Sequence, residues 1–265
     1  MLSFGQDEGS ESIVQIYPGS VLEAYKPGEA FVDISIHFED ESGEYRSLSK
    51  RVKVIVRNKL SQTYAPLRLA STKQTKNSIK LGWKKVYGAK KYVIYGGKGS
   101  KKAKVKKLKT VGASKLSYNI KKLSGRKLKK GTYYKFRVAA LDENNKVIYK
   151  SKDIYVATKG NRKKSNPKKV IVKSKVSKTG KKLAKWRKTS SITLSKGRTT
   201  TLKTSFTKAR RTKVKKFAGI RYASGNKRIA TVTSKGKVKA IREGSAKIYC
   251  YAQNGKCTIV TVKVK

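Results

Sequence analysis

The chain has 265 residues, of which 68 are Lys or Arg and 14 are Asp or Glu, giving a formal net charge of +54. One histidine and two cysteines leave little from which to assemble a nucleophilic triad or a zinc site, so the chain is not expected to be an enzyme. The positive field predicts attraction to polyanions that weakens as salt rises. The charge is uneven: residues 1–64 hold 7 basic and 10 acidic side chains, whereas residues 65–265 hold 61 and 4.

Residues 1–12 have neither a basic n-region nor an apolar h-region, and no stretch of about 18 apolar residues follows. No membrane span is expected, and a secretion signal, if there is one, is expected upstream. Residues 12–58 open with Ile16 to Val32, then alternate from Phe31 to Phe38, turn through the acidic Glu39–Glu44, and close with Arg51–Val56. The turn lacks the alternating Asp/Asn spacing of a calcium loop and is expected to be a solvated hairpin tip. His37 alternates outward on its strand.

Asn58 to Pro66 reads as a linker. In residues 66–158, Ile79, Leu81 and Trp83 share one strand face, Lys91–Tyr95 forms the next strand, and Gly96–Lys102 is a flexible glycine-lysine loop. Lys159–Lys169 reads as a second linker. Residues 167–265 follow, with strands expected at Val170–Val172 and Ser191–Leu202. Their last part alternates with period two at Val238 and Ala240, at Ala246, Ile248 and Cys250, and at Val260, Val262 and Val264, with turns at Gly236, Gly244 and Asn254–Gly255.

That last part recurs near the other end of the chain. Without a gap, Ile16 aligns with Val232, Leu22 with Val238, Ala24 with Ala240, Gly28 with Gly244 and Ala30 with Ala246. Internal similarity implies an array of like units, here read as separate beads. The early strands of a sandwich have no counterpart in 12–58. Either the chain begins inside a module or this half pairs with a neighbour.

Trp83 followed by Gly131-Thr-Tyr-Tyr134-Lys-Phe-Arg-Val-Ala-Ala140 resembles a fibronectin type III domain. The resemblance implies that Trp83 packs between two sheets and that Tyr134 makes the corner hydrogen bond of Greek-key sandwiches. Lys130 stands where that family has proline, and no Arg-Gly-Asp occurs. Gly236, Val238, Ala240, Gly244, Ala246 and Ile248 complete a pattern that resembles the bacterial immunoglobulin-like domain of group 2; residues 12–58 resemble its second half. The expected fold is therefore all-β, a tandem of immunoglobulin-like sandwiches with the first truncated. Gly236, Ala240, Gly244, Trp83 and Tyr134 are expected to be structural. The setting implied by the resemblance is extracellular or on a bacterial surface, beside further modules of a longer chain.

Seven lysines carry the expectation of polyanion binding: Lys101, Lys102, Lys104 and Lys106 around Val105, and Lys235, Lys237 and Lys239 alternating with inward positions. Lysine on outer strands also blocks edge-to-edge pairing. Lysine offers hydrated point charges instead of the paired donors that read guanine, and no nucleic-acid-binding signature is present. An anionic cell-wall polymer, an acidic glycan or a host surface is the expected partner, not a specific nucleic-acid sequence. Tyr249 and Tyr251 are the residues expected to stack on sugars. No cofactor or metal is implied. Across a two-residue Asn254–Gly255 turn, Ala252 opposes Cys257 and Cys250 lies on the diagonal of the same face, predicting two core thiols, or a disulfide if a bulge shifts the register. Spacing and adhesion are the expected work; the alternative is a targeting region of a secreted glycan- or peptidoglycan-degrading enzyme.

Overall fold

A computed structural model describes residues 2–6, 13–17, 21–24, 28–56, 67–86 and 88–265. The linker expected at 58–66 lies outside them. The chain divides into two compact units, residues 1–59 and 60–265.

The first unit holds β1 (Leu2–Gln6), β2 (Val14–Tyr17), β3 (Val21–Ala24), β4 (Gly28–Glu39) and β5 (Tyr45–Val56). β1, β4 and β5 form an antiparallel sheet in that order, and β2 and β3 form a hairpin. Among the described residues Val14, Ala30 and Val32 are buried together, with Phe4, Ile13, Ile16, Ile34, Val54 and Val56 partly buried around them.

In the second unit, residues up to 157 contain β6 (Ala70–Gln74), β7 (Ile79–Gly82), β8 (Lys91–Lys98), β9 (Lys106–Gly112), β10 (Ser117–Ile120), β11 (Lys122–Leu123), β12 (Arg126–Lys127), β13 (Tyr133–Leu141), β14 (Val147–Lys150) and β15 (Ile154–Ala157). One sheet runs β10-β7-β6. The opposing sheet runs β14-β13-β8-β9, with β15 also paired to β13. Ile79, Leu81 and Trp83 from the first sheet meet Tyr92, Ile94, Phe136 and Val138 from the second. Period-two alternation has aimed each set at the other. The Tyr134 hydroxyl accepts a 2.7 Å hydrogen bond from the Lys129 N–H, closing the corner that the motif implied.

The remaining strands are β16 (Lys169–Val176), β17 (Lys182–Lys188), β18 (Ser191–Leu194), β19 (Thr199–Thr201), β20 (Lys203–Thr207), β21 (Arg221–Ser224), β22 (Ala230–Val232), β23 (Lys237–Ala240), β24 (Gly244–Tyr251) and β25 (Cys257–Val264). Sheets β17-β16-β20, β18-β25-β24-β21 and β19-β23-β22 enclose one core. Val170, Val172, Ile192, Leu194 and Leu202 come from its first half; Ala240, Ile248, Val260 and Val262 come from its second. β18 lies parallel to β25, and the other pairings in this sandwich are antiparallel. Gly236 has φ +84°, and a Cβ there would approach the Leu202 carbonyl to 2.8 Å, so glycine is required.

The first unit repeats the second half of this sandwich pair by pair. Ile16 faces Leu22 as Val232 faces Val238. Gly28 faces Val56 and Val32 faces Val52, as Gly244 faces Val264 and Ile248 faces Val260. Phe4 faces Ile34 as Tyr222 faces Cys250, which makes β1 the counterpart of β21. An isoleucine lies against the first residue of the long hairpin in each: a Cβ on Gly28 would meet Ile13, and one on Gly244 would meet Ile229. The β4–β5 hairpin extends four residue pairs beyond the β24–β25 hairpin.

The two sandwiches of the second unit are joined, and Lys159–Lys169 is no loose linker. Asn166 exchanges two hydrogen bonds with the Ala157 backbone (2.8 and 2.7 Å), and the Ser165 N–H donates to the Lys213 carbonyl. Phe217 stacks on Tyr155, with centroids 4.9 Å apart, and meets Tyr133 edge-on at 5.0 Å. The Asn254–Gly255 hairpin tip docks on the preceding sandwich. The Asn254 side-chain amide donates to the Pro167 carbonyl, and the Asn254 carbonyl accepts from the Ser71 N–H. Gly255 leaves no room for a Cβ, which would lie 2.3 Å from the Leu69 carbonyl. Polar residues that look like spacer in the sequence are spent on satisfying backbone groups at this contact.

The hairpin also differs from expectation in register. The Ala252 N–H donates to the Lys256 carbonyl, so the turn has three residues and ends on Gly255 at φ +83°. One extra residue moves Cys257 opposite Tyr251 and leaves Cys250 opposite Thr258. The cysteines therefore lie on opposite faces, Cys250 buried and Cys257 exposed, and no disulfide joins them.

Candidate functional site

The expected lysines fall into two groups. Lys101, Lys102 and Lys104 lie on the loop between β8 and β9, and Lys106 begins β9; all four are exposed. This loop is hydrogen-bonded from beneath. Beneath it Lys135 is buried, and its ammonium donates to the carbonyls of Lys101 (2.9 Å) and Ala103 (2.8 Å), with an Asp153 carboxylate oxygen at 3.5 Å. Gly96 and Gly97 are strand residues; a Cβ on Gly97 would come within 2.5 Å of the Lys104 carbonyl. The glycines let the loop fold back closely, and Lys135 ties it from below. Lys135 was missed because a lysine amid Tyr134, Phe136 and Val138 reads as an outward strand position.

Lys237 and Lys239 project from the outer side of β23, opposite Thr201 and Thr199 of β19, and Lys235 sits in the turn before them. Val238 and Ala240, the alternate residues, are fully buried. Among the described residues none of the seven lysines makes an ion pair; the carboxylate of this unit that does is Asp153, held by Lys135 and Arg137. Neighbouring cations outside ion pairs raise the local positive potential.

A third basic surface appears only in three dimensions. Trp186 on β17 has the ammonium of Lys175 (β16) 5.7 Å from its ring centroid and that of Lys203 (β20) at 5.8 Å. The three strands are neighbours in one sheet, and Lys173 faces both Lys188 and Lys203. The signal in the sequence was the Lys185-Trp-Arg-Lys188 run within a lysine-alternating stretch.

Tyr249 and Tyr251, expected to face outward for stacking on sugars, are buried. Tyr251 is 2% exposed beneath the Arg221 guanidinium, 4.6 Å from its ring centroid, and Arg68 covers Tyr249 at 5.0 Å. Arg221 in turn donates to the Asp153 carbonyl of the other sandwich at 2.8 Å. The face that alternation marked as outward is covered by the neighbouring module. Burial pushes the Tyr251 hydroxyl pKa up to about 12.

At the acidic turn, Asp40 accepts from the Ser42 N–H (2.9 Å), the Ser42 hydroxyl and the Glu44 N–H (3.1 Å), and pairs with Arg46. The carboxylate caps its own turn. These bonds, the Ser42 hydroxyl first and Arg46 second, lower its pKa to about 2. Among the described residues no group of three His, Cys, Asp or Glu side chains is placed to hold a metal ion. No helix among the described residues is long and apolar enough to cross a membrane.

Residues 188–262 match the family model of the bacterial Ig-like domain (group 2). No curated protein matches the chain. Among solved structures, the FN5 domain of Drosophila Lar is similar at 25% identity, over 35% of this chain and 92% of that domain, with a TM-score of 0.28. The C-terminal 282-residue fragment of intimin, solved with the intimin-binding domain of the translocated intimin receptor, matches at 16% identity over 74% of this chain and 62% of its own, TM-score 0.26. The S-layer protein rSbsC is similar at 14% identity over all of this chain and 35% of its own, TM-score 0.27. The chain thus spans less than two thirds of the latter two.

Proposed function

We propose that the chain is a non-catalytic extracellular region that spaces modules and adheres to anionic or carbohydrate surfaces through its lysine faces. The observation that carries this reading is the set of exposed lysines without ion-pair partners on both sandwiches of residues 60–265. Lys101, Lys102, Lys104 and Lys106 form one contact, Lys235, Lys237 and Lys239 another. Trp186 with Lys175 and Lys203 adds an aromatic face flanked by cations, a combination suited to an acidic sugar. The match of residues 188–262 to a bacterial domain family supports the setting.

The test is retention of the 265-residue chain on bacterial cell walls, an acidic polysaccharide and DNA across a salt series. Adhesion requires retention on wall or polysaccharide at low salt that declines steadily as salt rises. Replacing Lys101, Lys102 and Lys104 together with Glu should shift half-elution to lower salt, and Trp186→Ala should weaken polysaccharide binding more than DNA binding. Absence of retention at low salt leaves a passive spacer; stronger retention on DNA than on either glycan makes the chain a non-specific nucleic-acid binder.

A further inference from the structure

The sheet β17-β16-β20 carries a charge arrangement that folding alone disfavours. Lys173 on its central strand lies directly opposite Lys188 on one side and Lys203 on the other. Three like charges therefore stand in one row across three strands, about 4.8 Å apart at the backbone. Like charges directly opposite each other destabilise a sheet. No Asp or Glu occurs between Asp153 and Glu243, so the whole sheet lacks a carboxylate of its own. Among the described residues no ion pair reaches Lys173, Lys175, Lys188 or Lys203.

Lysine on an edge strand blocks stray pairing, which accounts for Lys188 on β17 and Lys203 on β20. It does not account for Lys173, which sits mid-sheet and is half-buried. The alternate residues of β16, Val170, Val172, Ser174 and Val176, are buried, which turns Lys173 and Lys175 to the outer face. Trp186 joins them there. Its ring centroid lies 5.7 Å from the ammonium of Lys175 and 5.8 Å from that of Lys203. Cation–π attraction holds both ammonium groups close to one indole, so the row is gathered before any ligand arrives.

We propose, resting on the adhesion reading above, that this face binds a linear glycan bearing one carboxylate per sugar. The glycan lies across the strands, along the Lys188–Lys173–Lys203 row. Successive carboxylates pair with successive lysines, because one sugar unit is about as long as the step from strand to strand. Trp186 supplies the apolar contact for a pyranose ring. Duplex DNA keeps its ring faces stacked on one another and gives the indole nothing comparable; only a single strand would. Neutralising the row relieves its self-repulsion, so the bound ligand also stabilises the fold.

The experiment titrates the 265-residue chain with oligogalacturonates of increasing length, from monomer to hexamer, by tryptophan fluorescence and calorimetry. Trp83 is buried, so a saturable change in emission belongs to Trp186 and should vanish in Trp186→Phe. Affinity should climb to the trimer and then level off, and the fully methyl-esterified trimer, which carries no charge, should not bind. Lys173→Gln should weaken trimer binding about tenfold and at the same time raise the denaturation midpoint, because it removes the central charge of the row. A lysine kept only for the fold would give the opposite change in stability. The same charge loss at Lys146, on a turn of the other sandwich, should leave trimer binding unchanged.

The length series and the ester act on the unaltered chain, so they decide even if a variant misfolds. Trimer binding that survives Lys173→Gln intact, or an ester that binds equally, overturns the proposal while leaving adhesion elsewhere on the chain standing. A single-stranded oligonucleotide of equal charge that binds more tightly, and is weakened as much by Lys173→Gln, also overturns it, since the face would then belong to nucleic acid. If no polyanion is retained at low salt, both readings fall together.

Discussion

The described residues of 2–56 and residues 221–264 build the same ladder in the same register, yet the first buries a smaller core than the second. In the C-terminal copy Ile248 and Val262 are fully buried between the ladder and the sheet β17-β16-β20 with β18; in the N-terminal copy Val54 is half-buried beside a cavity. Pairing is a local property, set by alternation and by glycines at fixed places such as Gly28 and Gly244. Burial is not. It requires a second layer, which sequences as similar as Ala30-Phe-Val32 and Ala246-Lys-Ile248 do not carry within themselves.

The difference can be broken at several points. The largest effect is expected from Ile248→Ala, which empties a sealed site and should cost about 3–4 kcal/mol in chemical denaturation. Val54→Ala, at the counterpart of the sealed Val262, should cost about 1 kcal/mol, since Val54 is half-buried beside a cavity. Equal losses would contradict the contrast between sealed and open faces. Next is Phe217→Ala. Wedged between Tyr133 and Tyr155, it makes the complete sandwich depend on its neighbour; its loss should remove about 3 kcal/mol and split one unfolding transition into two.

A chemical probe sharpens the same contrast with less disturbance. Cys250 and Ile34 are counterparts in the ladder. Burial, and to a lesser extent the nearby Cys257, pushes the Cys250 thiol up to about 12. With Cys257→Ser present, native Cys250 should resist an aromatic disulfide reagent at pH 8, whereas a further Ile34→Cys should react within minutes. The same shift sets a pH dependence. The folded pKa lies above the unfolded value of about 8.5, so the contribution is present below that value and is lost as pH climbs toward 12. The denaturation midpoint should fall over that interval. The smallest effect is at the Asp40 turn. Its pKa is depressed in the fold, so order at the hairpin tip is retained above about pH 4 and lost as pH falls toward 2, readable as the titration of its carboxyl resonance; Asp40→Asn should flatten that dependence.

Much of the ladder was legible in the sequence because its signals are local. Gly236, with its positive φ and its tight approach to Leu202, sits where the turn pattern put it, and the Tyr134 hydroxyl closes its corner five residues from Lys129. What could not be read were the consequences of one module touching another. Asn254–Gly255 suits a two-residue turn as well as a three-residue one. Only docking against Leu69, Ser71 and Pro167 shows the work the tip does, and the extra residue turns Cys257 outward. Tyr249 and Tyr251 alternate as exposed residues do, but Arg68 and Arg221 cover them from across the joint. Lys135 and Trp186 were hidden for the same reason: the carbonyls and lysines that define them lie far away in the chain.

The parallel pairing of β18 with β25 also has a mechanical meaning. When tension acts between Ser191 and Val264, the opposite ends of β18 and β25, two parallel strands drawn in opposite directions slide along each other, and their cross-strand hydrogen bonds are strained together instead of one after another. Forced unfolding is governed by the barrier to that first slip, not by the equilibrium stability. The β18–β25 pair therefore resists a load applied along it by a barrier that its equilibrium stability does not set.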